Sequence, residues 1–320
     1  MTIDISIGIP AHNEEENIGK LLDNLFAQAL PRSFRIKEII VVLSGCTDNT
    51  PRIVNEYARK YGIIKVIVEE ERRGKWSAIN KIIENSSGDV LVILAADIRL
   101  SKFLLYELVK SYLRSGRSIV MSERLPVKGS GLAYIVSKLY LYMFRYFLLG
   151  EEEAYSSASY LHGECILVPR EIYERIRLPK DVILDDGWLS LYARENKIRI
   201  IYSEKAVVYL GLPSNIIEIF SHRMRDHRGH LQLKKMSGLK LGTIRASVGR
   251  RKMTLLLKSM INAIAQVCRE DGVILTLPAF LALVMIDTAA LAISKLSYKE
   301  EEIGAYCRWR MAKSSKVIGG

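Results

Sequence analysis

Apolar and polar residues alternate from Ile3 to Ile9, with Ile3, Ile5, Ile7 and Ile9 separated by Asp4, Ser6 and Gly8. That period of two predicts a strand. Asn13, followed three residues later by Glu16, reads as a capping box. Ile18, Leu21, Leu22, Leu25 and Phe26 then recur at helical spacing. The run Lys37–Leu43 (KEIIVVL) predicts a buried strand, Thr50–Tyr61 a helix, Lys65–Glu69 a strand, Lys75–Asn85 a helix and Val90–Ala95 a strand. Strands alternating with helices predict an α/β chain, a mainly parallel sheet covered by helices. Ligands of such sheets sit beyond the carboxyl ends of the strands. The polar loops Pro10–Glu15, Leu43–Thr50 and Ala95–Arg99 all fall there.

The middle of the chain changes character. Ala133–Leu149 (AYIVSKLYLYMFRYFLL) is apolar and aromatic with only Lys138 and Arg145 as charges. It reads equally as an amphipathic helix beside a cleft or membrane and as a packed core helix. Cys165–Val168 and Ile198–Val208 are strand-like, the latter as a pair of strands. Val273–Ile293 carries one charge, Asp287, in 21 residues. Its length suits a bilayer span, although Pro278 and Asp287 also allow an in-plane or re-entrant hairpin or a buried helix of a soluble domain.

Charge adds a second theme. The net charge is +12, and between Arg223 and Lys258 eleven Lys or Arg stand against one acid, Asp226. Such a block implies an anionic partner or a solvated surface. Lacking an aromatic–basic platform or a helix-turn-helix pattern, the chain is not read as a nucleic-acid binder. The four cysteines form no CxxC pair, which argues against a structural zinc site or a disulfide framework and fits a reducing compartment. The N-terminus opens on a strand rather than a basic and apolar leader, so no signal peptide is expected.

Chemistry-bearing residues gather at the predicted strand ends. Pro10-Ala11-His12-Asn13-Glu14-Glu15 closes the first strand; its polar groups could cap a helix or bind a base or ribose. Ser44-Gly45-Cys46-Thr47-Asp48 follows the second, where Asp48 also suits an N-cap. Gly74-Lys75 opens a helix, a position suited to phosphate, although the spacing is not that of a Walker loop. Asp97 ends a buried strand, where a carboxylate needs a partner or a metal such as Mg²⁺ or Mn²⁺. Asp185-Asp186 combine two carboxylates, an arrangement that raises one pKa and suits a base, or equally an acidic first helical turn. His162-Gly163-Glu164 precedes a strand, and His222 to Arg228 opens the basic block.

The order of these segments resembles a family 2 glycosyltransferase of the GT-A fold. IGIPAHNEE matches that family's strand-Pro-any-any-Asn-Glu opening, VVLSGCTDNT its second loop at Thr47, Asp48 and Thr50, and Gly74, Lys75, Ala78 and Asn80 its third. Leu43, Ser44 and Gly45 stand where members commonly carry an Asp that contacts the base. The family's Asp-any-Asp metal motif reads Ala95-Ala96-Asp97. ILDDGW resembles the Glu-Asp segment, with Asp185 in the Glu place and Asp186 as the base. His222, Arg225 and Asp226 occupy the Gln, Arg and Trp places of the segment Gln-any-any-Arg-Trp.

The resemblance implies a Rossmann-like GT-A domain over residues 1–230, its nucleotide-sugar half about 1–100 and its acceptor half about 101–230, followed by a basic, membrane-associated helical region over 231–320. It implies nucleotide-sugar binding by Pro10, Ala11, Asn13, Glu14, Ser44, Asp48, Gly74, Lys75, Asn80 and Asp97, and Mg²⁺ or Mn²⁺ at Asp97. Catalysis falls to Asp186 and Asp185, and contacts to diphosphate or acceptor to His162, Glu164, His222, Arg225 and Arg228. The expected activity is inverting transfer from a nucleoside-diphosphate sugar to a lipid-linked or polysaccharide acceptor, with the catalytic domain on the cytoplasmic face of a membrane. A non-catalytic binding protein of the same fold and a sugar nucleotidyltransferase are the alternatives; the latter commonly has a Gly-rich first loop, which PAHNEE is not.

Overall fold

A computed structural model describes residues 2–237, 250–299 and 302–304. The part of the basic block between 238 and 249 and most of the C-terminal tail, Cys307 included, lie outside the described residues. The strands are β1 (Ile3–Ala11), β2 (Phe34–Ser44), β3 (Ile64–Glu69), β4 (Val90–Leu94), β5 (Ile98–Leu100), β6 (Ser118–Pro126), β7 (Cys165–Pro169) and β8 (Arg199–Leu210). The helices are α1 (Ile18–Phe26), α2 (Thr50–Lys60), α3 (Lys75–Asn85), α4 (Leu104–Ser115), α5 (Leu132–Tyr155), α6 (Arg170–Tyr173), α7 (Asp185–Glu195), α8 (Ile216–Met236), α9 (Arg250–Asp271) and α10 (Val273–Ser297).

All eight strands form one sheet in the order β3-β2-β1-β4-β7-β6-β8-β5. The half built by the βα repeat, β3-β2-β1-β4, is parallel. The expectation of a mainly parallel sheet needs refining in the other half. There β7 runs antiparallel to both β4 and β6, and β5 antiparallel to β8, while β6 and β8 are parallel. Two strands are reversed: β7, which enters the centre of the sheet after the long α5, and the short edge strand β5.

Strand periodicity divides the core between the two faces of the sheet. Ile39, Val41 and Leu43 of β2, with Val90, Val92 and Leu94 of β4, pack on the α1, α2 and α4 side. Ile40 and Val42, with Leu91 and Ile93, pack on the α3, α6 and α7 side. A strand covered on both faces needs a continuous apolar run, and KEIIVVL supplies one. A third apolar cluster joins α5, α8, α9 and α10.

Two local expectations change, and a third is narrowed. The capping box at Asn13 and Glu16 does not form: the helix begins at Ile18, and Asn13 sits at φ 53°. Tertiary hydrogen bonds claim this segment instead. Asn13 Oδ1 accepts from the Thr47 amide at 2.8 Å, and the Glu14 amide donates to Thr50 Oγ1 at 2.7 Å. The segment 198–208 is part of one long strand, β8, whose pairings with β6 and β5 hold it extended. The Ala133–Leu149 segment belongs to the 24-residue α5, in which Tyr134, Ile135, Val136, Leu139, Leu141 and Leu148 are buried.

A single cleft gathers the predicted residues

The carboxyl ends of β1, β2 and β4 open into one cleft of about 470 Å³. The parallel register sets Ala11 opposite Leu43, so the two following loops lie side by side. His12 Nδ1 then donates to the Ser44 carbonyl at 2.7 Å. Gly45, at φ 56°, turns the chain where a Cβ would lie 2.5 Å from the Arg72 amide nitrogen. A side chain there would push the Arg72–Lys75 loop away from the cleft. Ser44 Oγ is buried at the cleft wall with no hydrogen-bond partner among the described residues.

The opposite wall comes from segments further along the chain. Lys75 Nζ lies 2.7 Å from Asp185 Oδ2 and donates to the Gly163 carbonyl at 3.1 Å. A Cβ on Gly163 would come within 2.9 Å of that ammonium, so the absence of a side chain keeps the contact open. Asp186 follows Asp185 in the first turn of α7. Confinement in the cleft, reinforced by the Asp185 charge and opposed by Lys75, pushes the Asp186 carboxyl up to about 7. Burial works against the Lys75 ammonium, but Asp185 raises its pKa overall.

Next to this group, Arg124 Nη1 pairs with Glu164 Oε1 at 2.9 Å, and Glu164 Oε2 is 2.9 Å from His162 Nδ1. His162 Nε2 donates to the Ser122 carbonyl at 2.7 Å, which fixes the ring. Although burial would raise it, the Arg124 charge holds Glu164 well below the usual carboxylate range. Burial, with Arg124 nearby, lowers the His162 pKa. From α8 come His222, Arg223, Arg225, Asp226 and His230. Burial and Arg225 bring His222 down to about 4, so it is neutral at pH 7.

Of the sequence-predicted residues, Pro10, Ala11, Glu14, Ser44, Gly74, Lys75, Asp97, His162, Glu164, Asp185, Asp186, His222 and Arg225 line this cleft. Four others have structural engagements. Asn13 bridges to Thr47, and Asp48 accepts from the Glu15 and Thr50 amides. Asn80 ties α3 to the backbone of Leu178, and Arg228 donates to Ser297 Oγ of α10. The cleft also contains Arg72 and Arg223, which belong to segments singled out in the sequence, and Arg124, Tyr140 and Phe144, which sequence reasoning did not select. Arg124 is the middle residue of the SERLP segment in the last part of β6, and its only signal was a charge within a strand; Tyr140 and Phe144 repeat at i, i+4 along α5.

The donor set limits which metal the cleft suits. Asp97 brings one carboxylate, and no group of three or more His, Cys, Asp or Glu side chains forms a metal cage among the described residues. A zinc-type site closed by protein ligands does not fit. Mg²⁺ or Mn²⁺, which bind through one or two carboxylates together with substrate phosphate oxygens, fit Asp97.

The sheet order, the switch from parallel to antiparallel at β7 and the cleft at the strand ends define a GT-A-type, Rossmann-like α/β fold. Residues 6–177, just over half of the chain, match the family model for glycosyl transferase family 2, and the chain belongs to that family. It is 37% identical over 93 residues to glycosyltransferase AglE of Haloferax volcanii, an alignment covering 29% of this chain and 30% of that protein. It is 31% identical over 102 residues to human dolichyl-phosphate beta-glucosyltransferase, covering 30% and 32% of the two chains. These matches span about a third of the relatives' length. Among solved structures, the mannosyltransferase PcManGT from Pyrobaculum calidifontis, in complex with GDP-Man and Mn²⁺, superposes with a TM-score of 0.63 at 23% identity. That superposition covers 96% of this chain and 85% of that one.

Proposed function

We propose that the chain is an inverting glycosyltransferase that transfers a sugar from a nucleoside-diphosphate sugar to an acceptor delivered at a membrane. The observation that carries this reading is the presence of Asp97, Lys75, Asp186 and Arg225 in one cleft at the strand ends. Support also comes from family membership, from the GDP-Man and Mn²⁺ in the complex of the similar fold, and from relatives named for a dolichyl-phosphate acceptor.

The nucleoside lies against Pro10, Ala11, Glu14 and Ser44, whose unpartnered hydroxyl is ready to accept or donate a hydrogen bond. Asp97 would hold a divalent ion, which when bound would supply positive charge beside the leaving diphosphate. Two of the three Lys75 donors already engage Asp185 and Gly163, leaving one for the donor phosphate. Asp186 takes the proton from the acceptor oxygen, which forms a bond to the anomeric carbon from the face opposite the leaving group. The bond from that carbon to the diphosphate oxygen breaks, and the diphosphate leaves with the electron pair. Arg225 stabilises the charge that develops as the groups separate. A base near pKa 7 combines a large ionised fraction with useful basicity at neutral pH.

The two long apolar helices support the membrane part of the reading. Leu132–Glu153 within α5 is largely packed inside the molecule, whereas α10 leaves most of its apolar surface exposed. Basic side chains near such a surface add about 1 kcal/mol each on anionic lipid.

Asp186→Asn, assayed with a panel of nucleotide sugars, should lower turnover by roughly 10²-fold or more, with donor affinity retained. Transfer at the wild-type rate would remove Asp186 as the base. Asp97→Ala should abolish the Mn²⁺-dependent part of the thermal shift given by nucleoside diphosphates. An unchanged Mn²⁺ response would move the metal elsewhere.

A further inference from the structure

Asp287 is the one charged residue in the apolar run Val273–Ile293, and it sits half-buried on α10. A carboxylate on so apolar a helix is costly unless it is paired. Both of its partners come from α8. Arg223 Nε donates to Asp287 Oδ1 at 2.7 Å, and His227 Nε2 lies 3.0 Å from the same oxygen. Arg223 and His227 stand four residues apart, so one turn of α8 brings both to that oxygen. Two further bonds join the same helices. Ser294 Oγ donates to the Met224 carbonyl at 3.2 Å, and Arg228 Nη2 donates to Ser297 Oγ at 2.8 Å. Asp287, Ser294 and Ser297 recur at helical spacing, so α10 carries a polar stripe along α8.

Arg223 is at the same time a residue of the cleft. Its side chain is only 11% exposed. Nη1 donates to the Tyr140 hydroxyl at 2.6 Å and to Asp226 Oδ2 at 2.8 Å, and the guanidinium lies 4.2 Å from the centre of the Tyr140 ring. These bonds use Nε and Nη1; Nη2 makes none among the described residues. A guanidinium is a rigid planar fork, so fixing two of its nitrogens fixes the third. Tyr140 and Asp226 hold one side of that fork from within the cleft, and Asp287 holds the other from outside it.

We infer that Asp287 is a positioning residue for the cleft: from α10 it holds Arg223 so that the Nη2 edge of the guanidinium meets a phosphate oxygen of the bound donor. This rests on the proposed transfer from a nucleoside-diphosphate sugar and adds a residue to it from outside the segment matched by the family model. The seating of α10 on α8 is then a condition for turnover as well as for contact with a membrane. A polar lock that merely joins two helices would contribute to stability and leave anion binding alone.

The test uses the full chain, with inorganic pyrophosphate titrated calorimetrically and turnover measured on a panel of nucleotide sugars. Removing a negative charge by itself tightens the binding of an anion, so a loss of affinity is the mark of positioning. Asp287→Asn should weaken pyrophosphate binding at least about fivefold and lower turnover, with flotation on lipid vesicles unchanged. Asp287→Glu, which keeps the carboxylate, should recover part of the loss. Arg223→Gln should weaken pyrophosphate at least as much, and Asp287→Asn should add no further loss in that background. Pyrophosphate binding by Asp287→Asn as tight as the wild type, or tighter, would overturn the inference, as would losses that add in the double variant. Melting curves identify a variant that fails to fold. In that event Arg223→Lys, which keeps the charge and loses the fork, decides: affinity equal to the wild type would overturn the positioning. Absence of turnover by the wild type with every nucleotide sugar would count against the parent reading alone, because the pyrophosphate affinities report on the Asp287–Arg223 pair directly.

Discussion

At the scale of single residues, the proposed chemistry depends on how Lys75, Asp185 and Asp186 share charge. Asp185 is held 2.7 Å from the ammonium, and Asp186 is left with a carboxyl pushed up to about 7 by its confinement and by its neighbour. A base is active in its ionised form, so transfer should rise with pH through about 7 and then level off. Asp185→Asn removes a like charge and should move that inflection to lower pH; Lys75→Met removes the opposing cation and should move it higher. Rate profiles of the three proteins would decide this, and a common inflection in all three would dissociate Asp186 from the titration. Sequence reading found both carboxylates and the lysine as separate motifs. It had no means of seeing that Lys75 and Asp185, 110 positions apart in the chain, form an ion pair.

At the scale of elements, loops and helices divide the work. The first two strand-end loops are locked to each other through Asn13, Thr47, Asp48 and Thr50, which leaves Glu14 and Ser44 at the cleft wall. Here local propensity lost to tertiary hydrogen bonds: a capping box was legible at Asn13 and Glu16, yet those residues lie before the helix. Helix α4 was passed over although Leu104, Leu105, Leu108 and Val109 repeat at helical spacing and are fully buried. Helix α10 has two distinct sides. Thr276, Ala279, Leu283, Ile286, Ala290 and Ser294 face inward, and Asp287 pairs with Arg223 and His227 of α8. Its other side is apolar and exposed, including Ile274 at 88% and Met285 at 72%. Replacing Ile274 and Met285 with Glu should release the chain from vesicles of anionic lipid in a flotation assay, with little change in melting temperature. Flotation equal to the wild type would remove α10 as the membrane contact.

At the scale of the molecule, the sheet separates its stability from its chemistry. The cleft occupies the carboxyl ends of β1, β2 and β4, while a second polar network closes the opposite end. There Glu38, 3% exposed, accepts from Ser6 Oγ at 2.6 Å and from the Ser87 amide at 2.7 Å, and pairs with Lys65. Burial alone would raise its pKa, but Lys65, Ser6 and Ser87 together bring it down to about 2. The sign follows from the unfolded chain binding a proton more readily. This network contributes stability that is complete above the ordinary Glu range near 4.5 and is lost as pH falls towards 2. Glu38→Gln should therefore cost roughly 2–3 kcal/mol at pH 7 and flatten the acid limb of the stability curve. Denaturant melts at pH 7 and pH 3 would test this, and an equal loss at both values would assign the effect to packing alone.

What the sequence determined by itself was the repeating βα order, the doubly covered strand KEIIVVL and the separate polar segments at strand ends. Periodicity and turn chemistry are local, so they are written in neighbouring residues. Only the tertiary structure decided that β7 inserts antiparallel between β4 and β6, bringing His162, Gly163 and Glu164 against Lys75 and the Asp185–Asp186 pair. It also brought Arg124 and the α5 aromatics into the cleft and set Asp287 of α10 against Arg223 of α8. Such placements arise from packing between segments far apart in the chain, and no spacing along the chain encodes them in a readable form.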